Sequence, residues 1–320
     1  MTTMGSADEG DLPALAPVAS GWDGDPRAIV VNAFQAAVTD AEVAASAGAE
    51  DQDGAVHEYR KALRRARAIL ALVRPVLARD THDAVRDELR SARREVSAAR
   101  DHTVAATALA QLALESQERE GADFLLTTLR TEEPTSEDVC AHLQEGAHRA
   151  RLQCATLEAA LPGEVSMETI ARGLARTYRQ ARTARRGAKR SRRAFHRWRR
   201  RTKELDAQLA LLAAHAGERT ESIRQAYSDL SNVLGPIADL IMLRTLSAGY
   251  RARHSDAPFA DLEDALGGLA SVQIRAARKL ARPLFAPRPA KLTKMITRAL
   301  RRDSEATPPL DGDDPGDSED

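Results

Sequence analysis

Aromatic side chains are scarce, with Phe, Trp and Tyr making up 3% of 320 residues, and only 18 Gly and 14 Pro punctuate the chain. A sandwich or barrel needs β-formers at alternate positions and frequent turn residues between short strands, so sheet-rich architectures are excluded. No run of eighteen apolar residues occurs, and Met1 to Asp25 carries five acids, no Lys or Arg and no apolar centre. Neither a membrane span nor a secretory leader fits that pattern, and a cytoplasmic protein is expected. The two cysteines, Cys140 and Cys154, lie fourteen residues apart inside one helical pattern. That is about 21 Å at 1.5 Å per residue, too far to pair within a helix, so reduced thiols are expected.

What the chain does contain is Ala, Leu, Arg and Glu in abundance, residues that lose little on entering a helix. With 43% apolar residues it can build a real core, and the expected fold class is all-α. Asp25 followed by Pro26 is an N-cap with proline at the first helical position, and Gly48 closes the segment they open. A second pattern runs from Gly54 to Arg79, and a third from Thr81 or Asp83 past Gln111 and as far as Arg130. Pro134 to Asp138 is a break and cap for a helix ending at Ala160, and Pro162-Gly163 marks the midpoint. Further helices are expected over Ser166 to Lys189, Arg192 to Ala216, Glu218 to His254 with a bend at Gly235-Pro236, and Pro258 to Leu280. A short basic segment then ends near Arg302.

The formal net charge of zero conceals a segregation. Residues 1–54 hold ten acids and only Arg27, and residues 303–320 hold eight acids and no base. Residues 55–302 therefore carry 46 bases against 29 acids, a net +17. Arg172 to Lys203 packs fifteen Lys and Arg into 32 residues without a carboxylate, and Arg275 to Arg302 adds ten more with none. Such a field attracts polyanions. The acidic ends are poor in apolar residues and rich in Asp-Gly and Asp-Pro, so residues 1–25 and 303–320 are expected to be disordered tails around one body spanning 26–302.

Projection at 100° per residue places the bases on helix faces. Arg60, Lys61 and Arg64 fall near His57, while Tyr59, Ala62, Leu63, Ala66, Ile69, Leu70 and Val73 take the opposite side. Arg86, Arg90, Arg93 and Arg100 form a second row. Arg172, Arg176, Arg179, Arg186 and Arg190 form a third, opposed to Ile170, Leu174 and Ala181. The fourth is Arg192, Arg193, His196, Arg199, Arg200 and Lys203, facing away from Trp198, Leu205, Leu209 and Leu212. Solvated faces ordinarily mix signs because i,i+4 acid–base pairs stabilise a helix, and these rows contain almost no acids. Four together point to a shared binding surface.

An internal repeat links two of the rows. His57-Glu58-Tyr59-Arg60-Lys61-Ala62-Leu63-Arg64 aligns with His196-Arg197-Trp198-Arg199-Arg200-Arg201-Thr202-Lys203 at a separation of 139, and Leu70-Ala71-Leu72 with Leu209-Ala210-Leu211. A duplicated helical unit explains this economically, with halves of about 26–161 and 162–302 related by a pseudo-twofold.

At these residues the sequence resembles the CHAD family, the conserved-histidine α-helical domain. Val56-His57 through Arg67 looks like that family's first signature, and Tyr178-Arg179 with Phe195-His196-x-Trp198-Arg199-Arg200-Arg201-x-Lys203 like its second. The likeness covers about 26–302. It implies two pseudo-symmetric antiparallel helical bundles around a basic central channel, and binding of inorganic polyphosphate. Two departures stand out. Leu234-Gly235-Pro236-Ile237-Ala238-Asp239-Leu240 has Ala238 where the family's L-G-x-x-H-D-L carries histidine, and the alternating E-x-E-x-K strand of the triphosphate-tunnel domain often fused to such proteins is missing.

The chemistry of that ligand suits these residues. Polyphosphate offers a line of charges and no bases to stack on, so its binder needs forked guanidinium and mobile ammonium donors. The candidates are Arg60, Lys61, Arg64, Arg90, Arg93, Arg100, Arg179, Arg186, Arg199, Arg200 and Lys203, joined by His57 and His196, whose charge is tunable near neutral pH. Cys140, His142, His148 and Cys154 point to different faces of one helix and match no common zinc spacing. Asp101 and Asp239 fit better as orienters of arginine than as magnesium ligands or bases. No phosphate-binding glycine loop or nucleophile elbow occurs, and no metal, cofactor or catalysis is called for. A non-catalytic polyphosphate binder, placed on polyphosphate or storage granules, leads two alternatives, a nucleic-acid binder and a phosphate-processing enzyme.

Overall fold

In the computed structural model the described residues are 25–131, 136–214, 217–253 and 258–305. Residues 1–24 and 306–320, most of both expected tails, lie outside them, as do the side chains of Arg100 and Asp101. Among the described residues there are eleven α-helices, one 3-10 turn and no strand.

Local chemistry sets the first boundaries. Asp25 accepts from the Arg27 amide at 2.9 Å and starts α1 (Pro26–Ser46), which ends in the 3-10 turn Ala47–Ala49. Asp51 caps α2 (Gln52–Leu72) through the Gly54 amide at 3.0 Å. The helix stops short of the expected Arg79 because Pro75 has no amide proton and biases the residue before it away from helical torsions. The long third pattern divides into α3 (Arg79–Glu95), α4 (Ser97–Ala110) and α5 (Ser116–Thr131). The second of these breaks carries a local signal, since the Glu118 carboxylate turns back to accept from the Glu115 amide at 2.9 Å, half of a capping box. No residue at Val96 marks the first.

The rest follow the punctuation closely: α6 (Ser136–Ala160), α7 (Met167–Gly187), α8 (Arg192–Ala213), α9 (Gly217–Arg251), α10 (Ala260–Leu280) and α11 (Pro289–Glu305). α9 is one helix with Pro236 inside it. Both cysteines lie on α6 as free thiols.

Two groups of helices share the core. α1, α2, α3 and α6 pack together in one, α7, α8, α9, α10 and α11 in the other, while α4 and α5 cross to contact α9 and α10. α1 with its 3-10 extension is long and apolar enough to cross a membrane, yet Val30, Phe34, Val38 and Ala41 are buried against the helices beside it. The apolar faces read from the sequence are inside: Tyr59, Leu63, Leu70, Ile170, Leu174, Trp198, Leu205 and Leu209 are all buried. The aromatic positions of the repeated motif, Tyr59 and Trp198, are fully enclosed, each within its own group.

The groups meet where α2 touches α7 and α8. Gly173 of α7 faces the end of α2 so closely that a Cβ there would stand 2.0 Å from the Leu72 carbonyl oxygen, so only glycine permits this crossing. Buried Gln208 of α8 donates to the Ala68 carbonyl at 2.9 Å and to the Thr177 hydroxyl at 3.2 Å, stitching α8 to α2 and α7 at the same level. This junction positions the site.

Candidate functional site

Above Gln208 the four helices that carry basic rows leave a cavity of about 260 Å³. α2 contributes Arg67 and Ala71, and the turn after it Arg74; α3 contributes His82, Arg86 and Arg90; α7 contributes Arg176, Thr177 and Gln180; α8 contributes Arg200, Arg201 and Glu204. The residues from each helix follow helical spacing, so one face of each looks into the hollow. A second hollow of about 610 Å³ shares Arg74, Arg176 and Gln180 and adds Arg172 and Arg179, extending the basic wall along α7.

Seven guanidinium groups around one small hollow repel one another, and the acidities of Arg67, Arg176 and Arg200 record it. Burial first, then repulsion by Arg93, Arg200 and Arg201, pushes Arg67 down to about 10 against the pull of Glu204. Arg200 is lowered by burial and then by Arg201, with Arg197 and Arg90 adding to the effect. Arg176 is lowered by burial and then by Arg74, Arg201 and Arg179. All remain cations at neutral pH, so the fold holds unfavourable charge that a polyanion would relieve. The Nε groups of Arg67 and Arg201 are buried with no hydrogen-bond acceptor among the described residues.

The acids present are committed to positioning. Glu204, 5% exposed, pairs with Arg201. Asp83 lies 3.0 Å from His82 Nδ1 and accepts from Arg86 Nη1 at 2.7 Å, fixing both side chains on the α3 wall. Burial holds the His82 imidazole below its ordinary value despite the opposing contact with Asp83.

Of the residues singled out from the sequence, Arg90 and Arg200 line the cavity and Arg179 lines its extension. Arg93 is close enough to Arg67 to depress it. Arg60 and Arg64 occupy the α2 face that continues into Arg67, two turns and one turn nearer the helix start. His57 and Lys61 sit at the edge of that face beside Glu58, with Lys61 Nζ 3.1 Å and His57 Nε2 3.9 Å from its carboxylate. On α8, His196 is exposed and its imidazole is lowered by desolvation and then by Arg199 and Arg192. Lys203 acts instead on Asp206, beside Arg224 of α9. Arg199 lies on the same side of α8 as these two, and neither it nor Lys203 lines the cavity. Arg186 is exposed near the end of α7, and Arg100 is on α4 with its side chain outside the described residues.

The row reading already contains Arg86 and Arg176 but leaves out Arg67, Arg74, His82, Arg201 and Glu204. Arg67 and Arg74 were within reach of the sequence, because they continue the spacing of Arg60 and Arg64 through Ala71. His82 and Glu204 carried no such signal.

The described residues form an all-helical body in which arginines converge on one hollow. The model of the CHAD domain matches residues 32–248, more than half of the chain, and the chain belongs to that family. Among solved structures, the crystal structure of the CHAD domain from the plant Ricinus communis is similar, with a TM-score of 0.53 and 18% identity over 89% of this chain and 94% of that one. That likeness is one of fold. No curated protein matches the chain.

Proposed function

We propose that this chain binds inorganic polyphosphate, or a polyanion of like charge spacing, without catalysing its turnover, and that the arginine hollow is the heart of the site. The observation that carries the reading is the convergence of seven arginines from α2 and the turn after it, α3, α7 and α8 on one cavity. The orphaned Nε donors of Arg67 and Arg201 suit phosphate oxygens, and Glu204, the one acid on the lining, is engaged by Arg201. In this reading the two groups of helices are duplicated halves, the hollow and its extension along α7 belong to a basic channel between them, and the protein works in the cytoplasm at polyphosphate granules.

Arg67→Gln with Arg176→Gln tests it by titration of labelled long-chain polyphosphate. Loss of a charge-assisted contact is expected to weaken binding by on the order of 1 to 3 kcal/mol for each site. Lys61→Gln, on the edge beside Glu58, is expected to change it little. Equal affinities in all variants, or tighter binding of duplex DNA than of polyphosphate at the same salt, would reject the reading.

A further inference from the structure

α10 packs on α9 and α5 with one face and leaves the opposite face uncovered by any described residue. Leu262, Leu266, Ala270 and Ala277 are buried at helical spacing and form the inner side. The outer side is not the polar stripe that a solvated helix ordinarily presents. Leu269 is 40% exposed, Val272 56% and Leu280 55%, so α10 alone supplies three of the seven large apolar side chains that stand exposed among the described residues. Scattered singly such residues need no explanation, but gathered on one helix face they mark a contact.

The charges on that face are arranged to suit a copy of itself. At 100° per residue Asp261, Gly268, Val272 and Lys279 fall within about 20° of one line, with Asp264 and Arg275 flanking it on one side and Ala265, Ala276 and Leu269 on the other. All four charged side chains are exposed. Asp261 and Lys279 stand nine residues either side of Ala270, Gly268 and Val272 two either side, and Asp264 and Arg275 six and five. A second α10 laid antiparallel about a twofold axis at Ala270 therefore sets Asp261 against Lys279, Asp264 against Arg275 and Val272 over Gly268, each contact made twice. The same axis keeps each flank on its own side, so Leu269 meets Leu269. A Cβ on Gly268 would meet nothing within 4 Å, which leaves room there for an incoming valine. A parallel pair would instead set acid on acid and base on base. Acids at the start and bases at the end also suit the helix's own dipole, but the dipole does not call for Leu269 and Val272 between them on the same face.

We propose that the outer face of α10 is the contact of a homodimer, docking on α10 of a second copy of this chain in an antiparallel register centred on Ala270. The occupant is a second copy because the face is complementary to itself in charge and in shape. One helix pair lies at the small end of specific interfaces, so the affinity is micromolar or weaker. No residue of α10 lines the arginine hollow, and each copy keeps its own. On the polyphosphate reading, two hollows in one dimer hold a long chain at two points. The dimer itself does not rest on that reading.

The test is sedimentation equilibrium of the full chain, free of any polyanion, over a concentration range of about 2 to 500 μM. The parent is expected to pass from monomer to dimer within that range. Asp264→Lys sets a second cation against Arg275, and Arg275→Asp a second acid against Asp264, so each variant alone is expected to self-associate about tenfold or more weakly. An equimolar mixture of the two is expected to dimerise nearly as tightly as the parent. In the mixed dimer the new lysine of one copy faces the new aspartate of the other, and the second pair is the native one. Gly268→Leu fills the space that receives Val272 and is expected to abolish the dimer while leaving melting unchanged or raised, since leucine favours the helix. The proposal fails if the parent stays monomeric throughout, the outcome expected if the face is merely solvated or is covered by another segment of its own chain. It fails if the single variants dimerise as tightly as the parent, which would place the contact elsewhere. It fails also if the mixture associates no better than its components, since loss of folding lowers association in the single variants but cannot restore it on mixing. Absence of polyphosphate binding would overturn the other reading and leave this one standing.

Discussion

At the scale of single residues, the hollow is tuned by burial acting on side chains that share one sign of charge. Arg67 and Arg200 stay cationic because an arginine displaced by even two or three pH units is still protonated at neutrality, whereas a lysine in the same place would approach its titration range. His82 does titrate. Its folded value lies below the ordinary imidazole range through burial, so the unfolded chain takes up the proton first as pH falls. The stability from keeping this ring neutral is present above about pH 6.5 and is lost as pH falls toward the lowered value. Bound phosphate has the opposite effect, favouring the imidazolium. Polyphosphate binding should therefore take up protons as pH falls below the ordinary imidazole value, and affinity should rise on acidification. Calorimetry in two buffers of different ionisation enthalpy measures this directly. His82→Asn should abolish most of the uptake, and an unchanged proton count in that variant would move the effect to His196, which desolvation and its arginine neighbours also lower.

At the scale of the helices, the site depends on how closely α7 crosses the end of α2. Gly173→Ala would set a methyl group 2.0 Å from the Leu72 carbonyl oxygen, and the obstruction is backbone that cannot swing aside. The helix propensity of alanine would stabilise α7 by about 1 kcal/mol, but separation of the helices should outweigh it. We expect a net loss of about 2 kcal/mol in urea unfolding. Because Thr177 and Gln208 lie at this crossing, polyphosphate affinity should fall along with stability. Gly235→Ala, where the new methyl meets nothing within 4 Å, is the control and should be neutral or stabilising.

For the molecule as a whole, the surplus of +17 over residues 55–302 would make the proposed association with polyphosphate an ion-exchange process. If six or more phosphates are neutralised, affinity should fall about a thousandfold or more between 50 and 200 mM salt, by analogy with counterion release from nucleic acids. It should also rise with chain length until the hollow and its extension along α7 are filled. A shallow salt slope, or triphosphate binding as tightly as long chains, would contradict a site shared by four helices.

Much of this was legible in the chain itself, because helix formation and amphipathicity are local. The spacing of Tyr59, Leu63, Ala66 and Leu70 on one side and Arg60 and Arg64 on the other determined which face of α2 is core before any partner was known, and Asp25-Pro26 and Pro162-Gly163 marked where helices begin and end. The break at Val96, the crossing permitted by Gly173, and the division of α8 into a cavity side at Arg200 and Arg201 and an α9 side at Lys203 were decided only in the tertiary structure. A helical projection gives the direction of a side chain from its own axis and says nothing about which neighbour stands there. The meeting of Arg67, Arg90, Arg176 and Arg200 around one hollow depends on how four helices pack, and no spacing within any one of them encodes it.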